Sequence, residues 1–209
     1  SAASDVYKRQ GYINPYLVES GVLFKAAQEK GYFVKKQDGS DYLFDFGEYD
    51  CGVVDLTMPE AFEWYKGVIK TNLIGLGFRG WMADFGEYLP VDCVLHDGDP
   101  AQLHNKWPVM WAKLNREAIE EYGDKDVMFF TRSGYLCIQQ YAPILWNGDQ
   151  HTDYTRDYGM PCIMPACFSL GFSGVTMEKR AAFSVASRPS MLRVCLLYTS
   201  PSPRDKRQS

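Results

Sequence analysis

A short apolar run that ends in an acid constrains this chain more than any other stretch. Residues 78–85 read FRGWMADF, with Gly80 inside the run and Gly86 directly after it. Apolar residues that do not alternate strictly with polar ones are typical of a strand buried on both faces. An acid in such a run costs free energy unless it is paired, protonated or solvated in a pocket. Asp84 is therefore a candidate functional residue, and the alternative is an acid that caps the next element or accepts loop hydrogen bonds.

A second acid, Asp149, follows another apolar stretch. Residues 142–149 read APILWNGD, which predicts a second strand that gives way to a loop at the acid. In a parallel α/β barrel the C-terminal ends of the strands share one face, so we expect Asp84 and Asp149 to converge there. Two carboxylates across one cleft suit glycoside hydrolysis. A gap of about 5 to 5.5 Å indicates a retaining enzyme, whereas roughly 6.5 to 9.5 Å indicates inversion.

Four segments carry more specific motifs. They are residues 81–90 (WMADFGEYLP), 103–108 (LHNKWP), 130–134 (FTRSG) and 146–150 (WNGDQ). Together they resemble glycoside hydrolase family 31, and most of all its bacterial sulfoquinovosidase branch, whose members are often called α-glucosidases. The resemblance runs from about Gly11 to about Met177. It implies an α/β fold, the (β/α)8 TIM barrel, of which this chain would hold the central strand–helix units.

The resemblance also implies roles for individual residues. Asp84 would be the nucleophile and Asp149 the general acid/base of a retaining α-glycosidase, and Arg132 would contact sugar hydroxyls. From the residues alone, Arg132 ends a predicted strand at 126–133, where a guanidinium can bind two vicinal hydroxyls, hold a carboxylate ionised, or form a structural salt bridge. Trp146 lies beside the second acid and is a candidate substrate-binding residue that shields this acid from water.

The resemblance implies hydrolysis of α-linked sulfoquinovosides or α-glucosides, with α-xylosides as the runner-up and no cofactor. After Met177 the family continues into a His-Ser-Asp-Ile-Gly-Gly-Tyr-like segment, whereas this chain reads EKRAAF at 178–183. The residues that bind the sulfonate lie in that segment and before Gly11, so none is assigned. A non-catalytic carbohydrate-binding barrel fragment is the alternative from another class.

The length of the chain fits part of a barrel. The chain has 209 residues, whereas a complete (β/α)8 barrel needs about 250. Residues 1–10 and 178–209 lack an apolar period and share the tripeptide KRQ, which predicts non-native or unstructured extensions around a barrel segment at 11–177. The alternative is a pair of natural disordered tails. Because a partial barrel leaves strand edges unpaired, we expect the isolated chain to be inactive.

Composition excludes several classes of partner. The net charge is −4 without a block of like charges, so nothing recruits nucleic acid or a membrane surface. No apolar segment of about 18 residues is present. The six cysteines lack a C-x-x-C spacing and are predicted to be reduced and mostly buried, which favours a cytoplasmic protein. The expected partner is a small glycoside, and the oligomeric state is not predicted.

Two motifs invite other functions and are rejected. Residues 75–80 match G-x-G-x-x-G, but this match follows a predicted helix and leads into a strand, the reverse of a dinucleotide fingerprint. His96, Asp97, Asp99 and His104 lack a metal-ligand spacing, so they are predicted to be loop residues, with Asp99 as a helix cap. No metal site is predicted.

The remaining patterns predict local elements. Residues 31–55 predict a small strand excursion of the kind that lines sugar sites. Thr57 and Glu60 are expected to form a capping box for a helix that ends at Gly75. Residues 100–122 predict the longest helix, with core tryptophans and a kink at Pro108, and residues 156–174 predict another helix.

Overall fold

The computed structural model of the chain describes residues 9–123, 126–142, 144–151 and 153–175, with side chains from residue 11 onward. The chain divides into two compact units, Ser1–Ala142 and Pro143–Ser209. In chain order the elements of the first unit are β1 (Arg9–Ile13), β2 (Tyr16–Val18), α1 (Val22–Glu29), β3 (Leu43–Asp45), β4 (Asp50–Val53), α2 (Pro59–Asn72), β5 (Phe78–Ala83), α3 (Pro100–Leu103), α4 (Trp107–Tyr122) and β6 (Met128–Thr131). The second unit contains α5 (Ile163–Phe172).

A parallel sheet forms the centre of the first unit. Its order is β1-β5-β6, and each neighbouring pair is parallel. Ala83 is opposite Ile13 on one side and Thr131 on the other, so the three strands end at the same level. The three described strands do not close on themselves, as expected of part of a barrel.

The central strand β5 is largely buried, as the run at 78–85 predicted. Trp81 is 1% exposed and Ala83 is fully buried. The indole Nε1 of Trp81 donates to Asn115 Oδ1 at 2.8 Å, which satisfies both buried polar groups and joins the strand to α4. Trp107 and Trp111 on α4 are also fully buried, so the prediction that these tryptophans belong to the core is confirmed.

The predicted excursion at 31–55 is a second, antiparallel sheet. Its order is β2-β4-β3, and both pairs are antiparallel. Strand β2 was not predicted, because it has only three residues and follows Pro15 directly. The first part of the excursion forms isolated bridges and no strand: Phe33 pairs with Val54, and Lys35 pairs with Asp41 and Val94.

The predicted capping box at the start of α2 is wrong. The N-cap residue is Met58, and no side chain caps the helix there. Thr57 instead donates from its hydroxyl to Asp55 Oδ1 at 2.6 Å and accepts from the backbone N–H of Asp97 at 3.1 Å. Because the Thr57 hydroxyl is hydrogen-bonded to Asp55, two residues earlier, it stabilises a turn and does not cap the helix.

The single long helix predicted at 100–122 is divided. A 3-10 turn at His104–Lys106 separates α3 from α4, and Pro108 lies in the first turn of α4 rather than at a kink. This position tolerates proline because the N–H it lacks would have no partner inside the helix. Two predictions here are confirmed: Asp99 caps α3 by accepting from the Ala101 N–H at 3.0 Å, and α4 ends at Gly123.

The second unit differs from its prediction in two ways. Residues 144–151 contain one bridge residue, Leu145, and no strand, so the predicted strand leading to Asp149 is wrong. Gly148 has a φ of 92°, and the side chain of Gln150 donates to the Asn147 carbonyl, so a local turn replaces extended backbone. The helix predicted at 156–174 begins only at Ile163, after a 3-10 turn at Met160–Cys162.

The five cysteines in the described residues all carry free thiols, as predicted. Cys51 and Cys93 are buried, Cys137 is exposed, and Cys162 and Cys167 are partly exposed, so the prediction that most are buried is wrong. Burial raises the pKa of Cys93 to about 11, which keeps this thiol protonated and unreactive. None of the helices in the described ranges is both long and apolar enough to cross a bilayer.

Candidate active site

Asp84 lies at the C-terminal end of β5, where the sequence places it. Its backbone N–H donates to the Ile13 carbonyl at 2.8 Å, so the acid is anchored to the neighbouring strand β1. The residue is 7% exposed. Phe85 follows with a φ of 58°, and its carbonyl accepts from the Ser133 hydroxyl at 2.6 Å. This left-handed backbone is uncommon for a bulky residue, and it turns the chain sharply after the acid.

The hydroxyl of Tyr12 contacts the Asp84 carboxylate directly. It donates to Asp84 Oδ2 at 2.6 Å. Burial, together with the hydrogen bond to Asp84, raises the pKa of Tyr12 to about 12. The phenol is therefore a protonated donor throughout the neutral range, and the two adjacent parallel strands supply the donor and the acceptor.

Arg132, the residue after β6, links Asp84 to a further carboxylate, that of Glu87. Its Nε lies 3.4 Å from Asp84 Oδ1 and donates to Glu87 Oε1 at 2.8 Å. Its Nη2 also donates to Glu87 Oε1. The guanidinium carbon lies 3.8 Å above the Phe85 ring centre, which holds the plane of the group by stacking. Of the three roles predicted for Arg132, the structure shows the salt bridge. Its main partner is Glu87, and Asp84 lies beside it.

Aromatic rings from the antiparallel sheet pack against Phe85, the residue after Asp84. The ring of Tyr16 lies 5.4 Å from that of Phe85 and 5.7 Å from that of Phe46, measured between centroids. Tyr88 lies 5.9 Å from Phe85. The two contacts of Tyr16 are edge-to-face, and such contacts fix ring positions beyond simple burial. The excursion at 31–55 therefore contributes Phe46 to an aromatic cluster around Phe85, the residue after Asp84. That the excursion lines a sugar site stays a prediction.

Asp149 and Trp146 belong to the second unit. Asp149 is exposed and Trp146 is half-buried. The Asn147 side chain between them donates to Cys167 Sγ at 3.4 Å, which attaches this loop to α5. Of the four predicted site residues, the structure brings Asp84 and Arg132 together within the first unit. The convergence of Asp84 with Asp149 stays a prediction.

Comparison with known proteins identifies the family. Residues 5–178 match the model of the TIM-barrel domain of glycosyl hydrolases family 31. The chain belongs to this family. It is 50% identical over 165 residues to the sulfoquinovosidase of Escherichia coli (strain K12) and 44% identical over 167 residues to that of Agrobacterium fabrum, in each case over 78% of this chain. The chain spans about a quarter of the length of these relatives, 24% and 25%.

A solved structure of the same family agrees. The family 31 sulfoquinovosidase from E. rectale, in complex with an aza-sugar inhibitor, superposes with a TM-score of 0.80 at 51% identity. The match covers 83% of this chain and 26% of that one. The predicted fold class, part of a family 31 TIM barrel, is therefore confirmed. The family match begins at residue 5 and β1 begins at Arg9, both before the boundary predicted at residue 11.

Two residues that contact Asp84 or Arg132 were missed from the sequence. Glu87 lies three residues after Asp84, inside the motif at 81–90, in which only Asp84 was predicted to have a role. Tyr12 lies two residues before the Asn14-Pro15 break that ends β1. The signal for Tyr12 was the strand order: once β1 is placed beside β5, a side chain near its C-terminal end reaches the acid.

Other polar groups in the described part of the family 31 domain have structural partners. The carboxylate oxygens of Glu63, Glu117 and Glu121 come within 4.8 Å of one another, which resembles a metal site. Lys66 Nζ lies 2.7, 3.3 and 2.5 Å from them, so an ammonium group already occupies the cluster. Lys70 and Lys113 also pair with Glu121 and Glu117, and the three lysines together offset the charge of the three acids. The Nδ1 of His104 lies 2.6 Å from the Leu89 carbonyl, which fixes the loop after Asp84.

Proposed function

We propose that this segment is part of the catalytic domain of a retaining α-glycosidase that acts on a small glycoside. One observation carries the proposal: Asp84 ends a central parallel strand with its carboxylate held by Tyr12 and faced by Arg132. Active sites of (β/α)8 barrels lie at this end of the strands. Two sulfoquinovosidases among the relatives support the same assignment. The barrel segment would be 11–177 together with the first residues of β1.

In the first step, Asp84 would attack the anomeric carbon of the sugar from its β face. The C1–O bond to the aglycone breaks, and its electron pair goes to the aglycone oxygen. Asp149, acting as general acid, protonates this oxygen as it leaves. The product is a β-glycosyl ester on Asp84, formed through an oxocarbenium-like transition state. Arg132 would offset the charge of the attacking carboxylate while Glu87 holds its guanidinium in place.

In the second step, Asp149 would act as general base. It takes a proton from a water molecule that attacks C1 from the α face, and the C1–O bond to Asp84 breaks. The electron pair returns to the Asp84 carboxylate, and the sugar leaves with its original α configuration. Trp146 is proposed to contact the substrate beside Asp149. No group in these two steps requires a metal or an organic cofactor.

Sulfoquinovosides are the proposed substrates, and α-glucosides come next. The support is the identity of 50% and 44% to two sulfoquinovosidases. An α-xylosidase of Emericella nidulans is 34% identical over 166 residues, which keeps α-xylosides as the second candidate within the family. The three sugars differ at C5 in carrying a sulfonated carbon, a hydroxymethyl group or no carbon, so the same two acids would serve each of them.

Covalent labelling tests this function. The full-length enzyme that contains this chain is treated with 5-fluoro-α-glycosyl fluorides of the sulfoquinovose, glucose and xylose series. We expect a stable ester on Asp84, found by peptide mass mapping. The fluorine at C5 slows both steps, but the good fluoride leaving group keeps the first step fast enough for the ester to accumulate. The sulfoquinovose reagent should inactivate fastest. A label on another residue, or normal turnover in Asp84→Ala, would contradict the assignment.

A further inference from the structure

Tyr12 is the only described residue that donates a hydrogen bond to the Asp84 side chain. Tyr12 is 53% exposed, so this residue lies at the surface and not in the core. The backbone on either side of this contact is fixed, since Tyr12 pairs with Met82 in the register between β1 and β5. The Asn14 side chain also donates to the Tyr12 oxygen at 3.4 Å. The pairing of β1 with β5 therefore positions the Tyr12 hydroxyl against Asp84.

The two oxygens of Asp84 differ in their contacts. Oδ1 is buried beside Arg132, and no group in the described ranges donates a hydrogen bond to it. Oδ2, the oxygen that accepts from Tyr12, is the one left to meet a substrate. An oxygen that attacks the anomeric carbon must be reachable from the cleft. The geometry therefore assigns Oδ2 as the attacking atom and places the Tyr12 hydroxyl on that atom.

Resting on the retaining function proposed above, we propose that Tyr12 is a catalytic residue of the second step. Its hydroxyl would donate to Asp84 Oδ2 as this oxygen leaves the anomeric carbon. The proton stays on Tyr12 in both steps, so the residue contributes a hydrogen bond and not acid catalysis. The class of substrate is unchanged, and the role concerns how fast the glycosyl-enzyme is hydrolysed.

The change in charge on Oδ2 explains why the hydrogen bond from Tyr12 would accelerate the second step and not the first. In the free enzyme Oδ2 shares a negative charge and is a strong acceptor. When Oδ2 bonds to C1, the charge is lost and the ester oxygen accepts only weakly. As water attacks and the C1–Oδ2 bond breaks, the electron pair returns to Oδ2 and the hydrogen bond regains its strength. The phenol thus favours departure of the carboxylate and opposes its attack.

The protonation state of Tyr12 fits this role. Burial and the neighbouring Asp84 raise its pKa to about 12, so the group stays a donor when the carboxylate is regenerated near neutral pH. A group that exchanged a proton with Asp84 would need a pKa far closer to that of a carboxyl group. The tyrosine therefore acts on the leaving carboxylate without competing with Asp149 for the transferred proton.

The experiment compares Tyr12→Phe with wild type in the full-length enzyme, using an activated aryl α-sulfoquinovoside. We expect kcat to fall about 10-fold, the scale of a lost hydrogen bond to a charged group, while kcat/KM is unchanged or rises. The apparent KM therefore falls. Rapid mixing should show a burst of aryl alcohol, and the mass spectrum of enzyme quenched at steady state should show accumulated glycosyl-enzyme.

Tyr122→Phe is the matched control, because Tyr122 is 48% exposed and lies at the far end of α4. It should leave kcat, KM and the burst as in wild type. Equal losses of kcat and kcat/KM in Tyr12→Phe, without accumulated intermediate, would overturn the second-step role, and so would wild-type kinetics. Both outcomes leave the retaining function intact provided that wild-type Asp84 is labelled. An unlabelled and inactive wild-type enzyme would instead reject the function itself.

Discussion

Replacing Asp84 with alanine in the full-length enzyme should lower kcat by about 10⁴-fold or more, because the covalent route is lost with its nucleophile. Sodium azide should then restore turnover of an activated substrate. The small anion can occupy the space of the carboxylate on the β face of the sugar, while Asp149 still assists the leaving group. The product expected by NMR is therefore the β-glycosyl azide, of configuration opposite to that of the substrate.

Asp55→Ala is the control for this variant. Asp55 is 2% exposed, and its carboxylate accepts from the Thr57 and His96 backbone N–H groups at 2.9 and 2.7 Å. Its loss should therefore lower stability, while the folded enzyme keeps hydrolysing without a response to azide. Turnover by Asp84→Ala without azide, or an α-glycosyl azide as product, would show that Asp84 is not the nucleophile.

Replacing Asp149 with alanine should produce losses that depend on the leaving group. With an alkyl aglycone, which needs protonation, we expect kcat/KM to fall by about 10² to 10⁴-fold, the usual range for general acid catalysis. With an aryl aglycone of low pKa, the first step needs little assistance and the loss should be much smaller. The glycosyl-enzyme then accumulates, and azide should release it as the α-glycosyl azide by attack from the water side.

Asp153→Ala is the matched control in the same unit. Asp153 is also an exposed acid near the loop, and its carboxylate accepts from the Thr155 N–H at 3.0 Å. Its removal should cost the same small factor for alkyl and aryl substrates. A uniform loss in Asp149→Ala across leaving groups would mean that Asp149 has a binding role only. The pair of azide products, β for one variant and α for the other, assigns the two acids separately.

The strand and core around the first acid could be predicted because burial leaves a strong sequence pattern. The run at 78–85 is a short apolar stretch bounded by glycine, which is typical of a strand buried on both faces. Trp107 and Trp111 are four residues apart, the spacing of one buried helix face. The start of α2 could not be predicted in the same way. Thr57 has the right spacing for a capping box, but Asp55 competes for its hydroxyl, and the competition is visible only in three dimensions.

The candidate site was predicted only in part for a similar reason. Asp84 and Arg132 each end a predicted strand, so barrel topology alone brings them to one end of the sheet. Tyr12 and Glu87 act through contacts to other side chains, and no local pattern assigns a role to either of them. The strand predicted before Asp149 was wrong because an apolar run of this length does not show whether a turn, here at Gly148, will interrupt it.

The most direct test of this account is the separation of the two acids. A crystal structure of the full-length enzyme with a bound, unhydrolysed substrate mimic measures the distance between the carboxyl groups of Asp84 and Asp149. We predict about 5 to 5.5 Å across the anomeric carbon, the separation of a retaining enzyme. A separation of roughly 6.5 to 9.5 Å, which indicates inversion, or an Asp149 directed away from the sugar, would contradict the proposal.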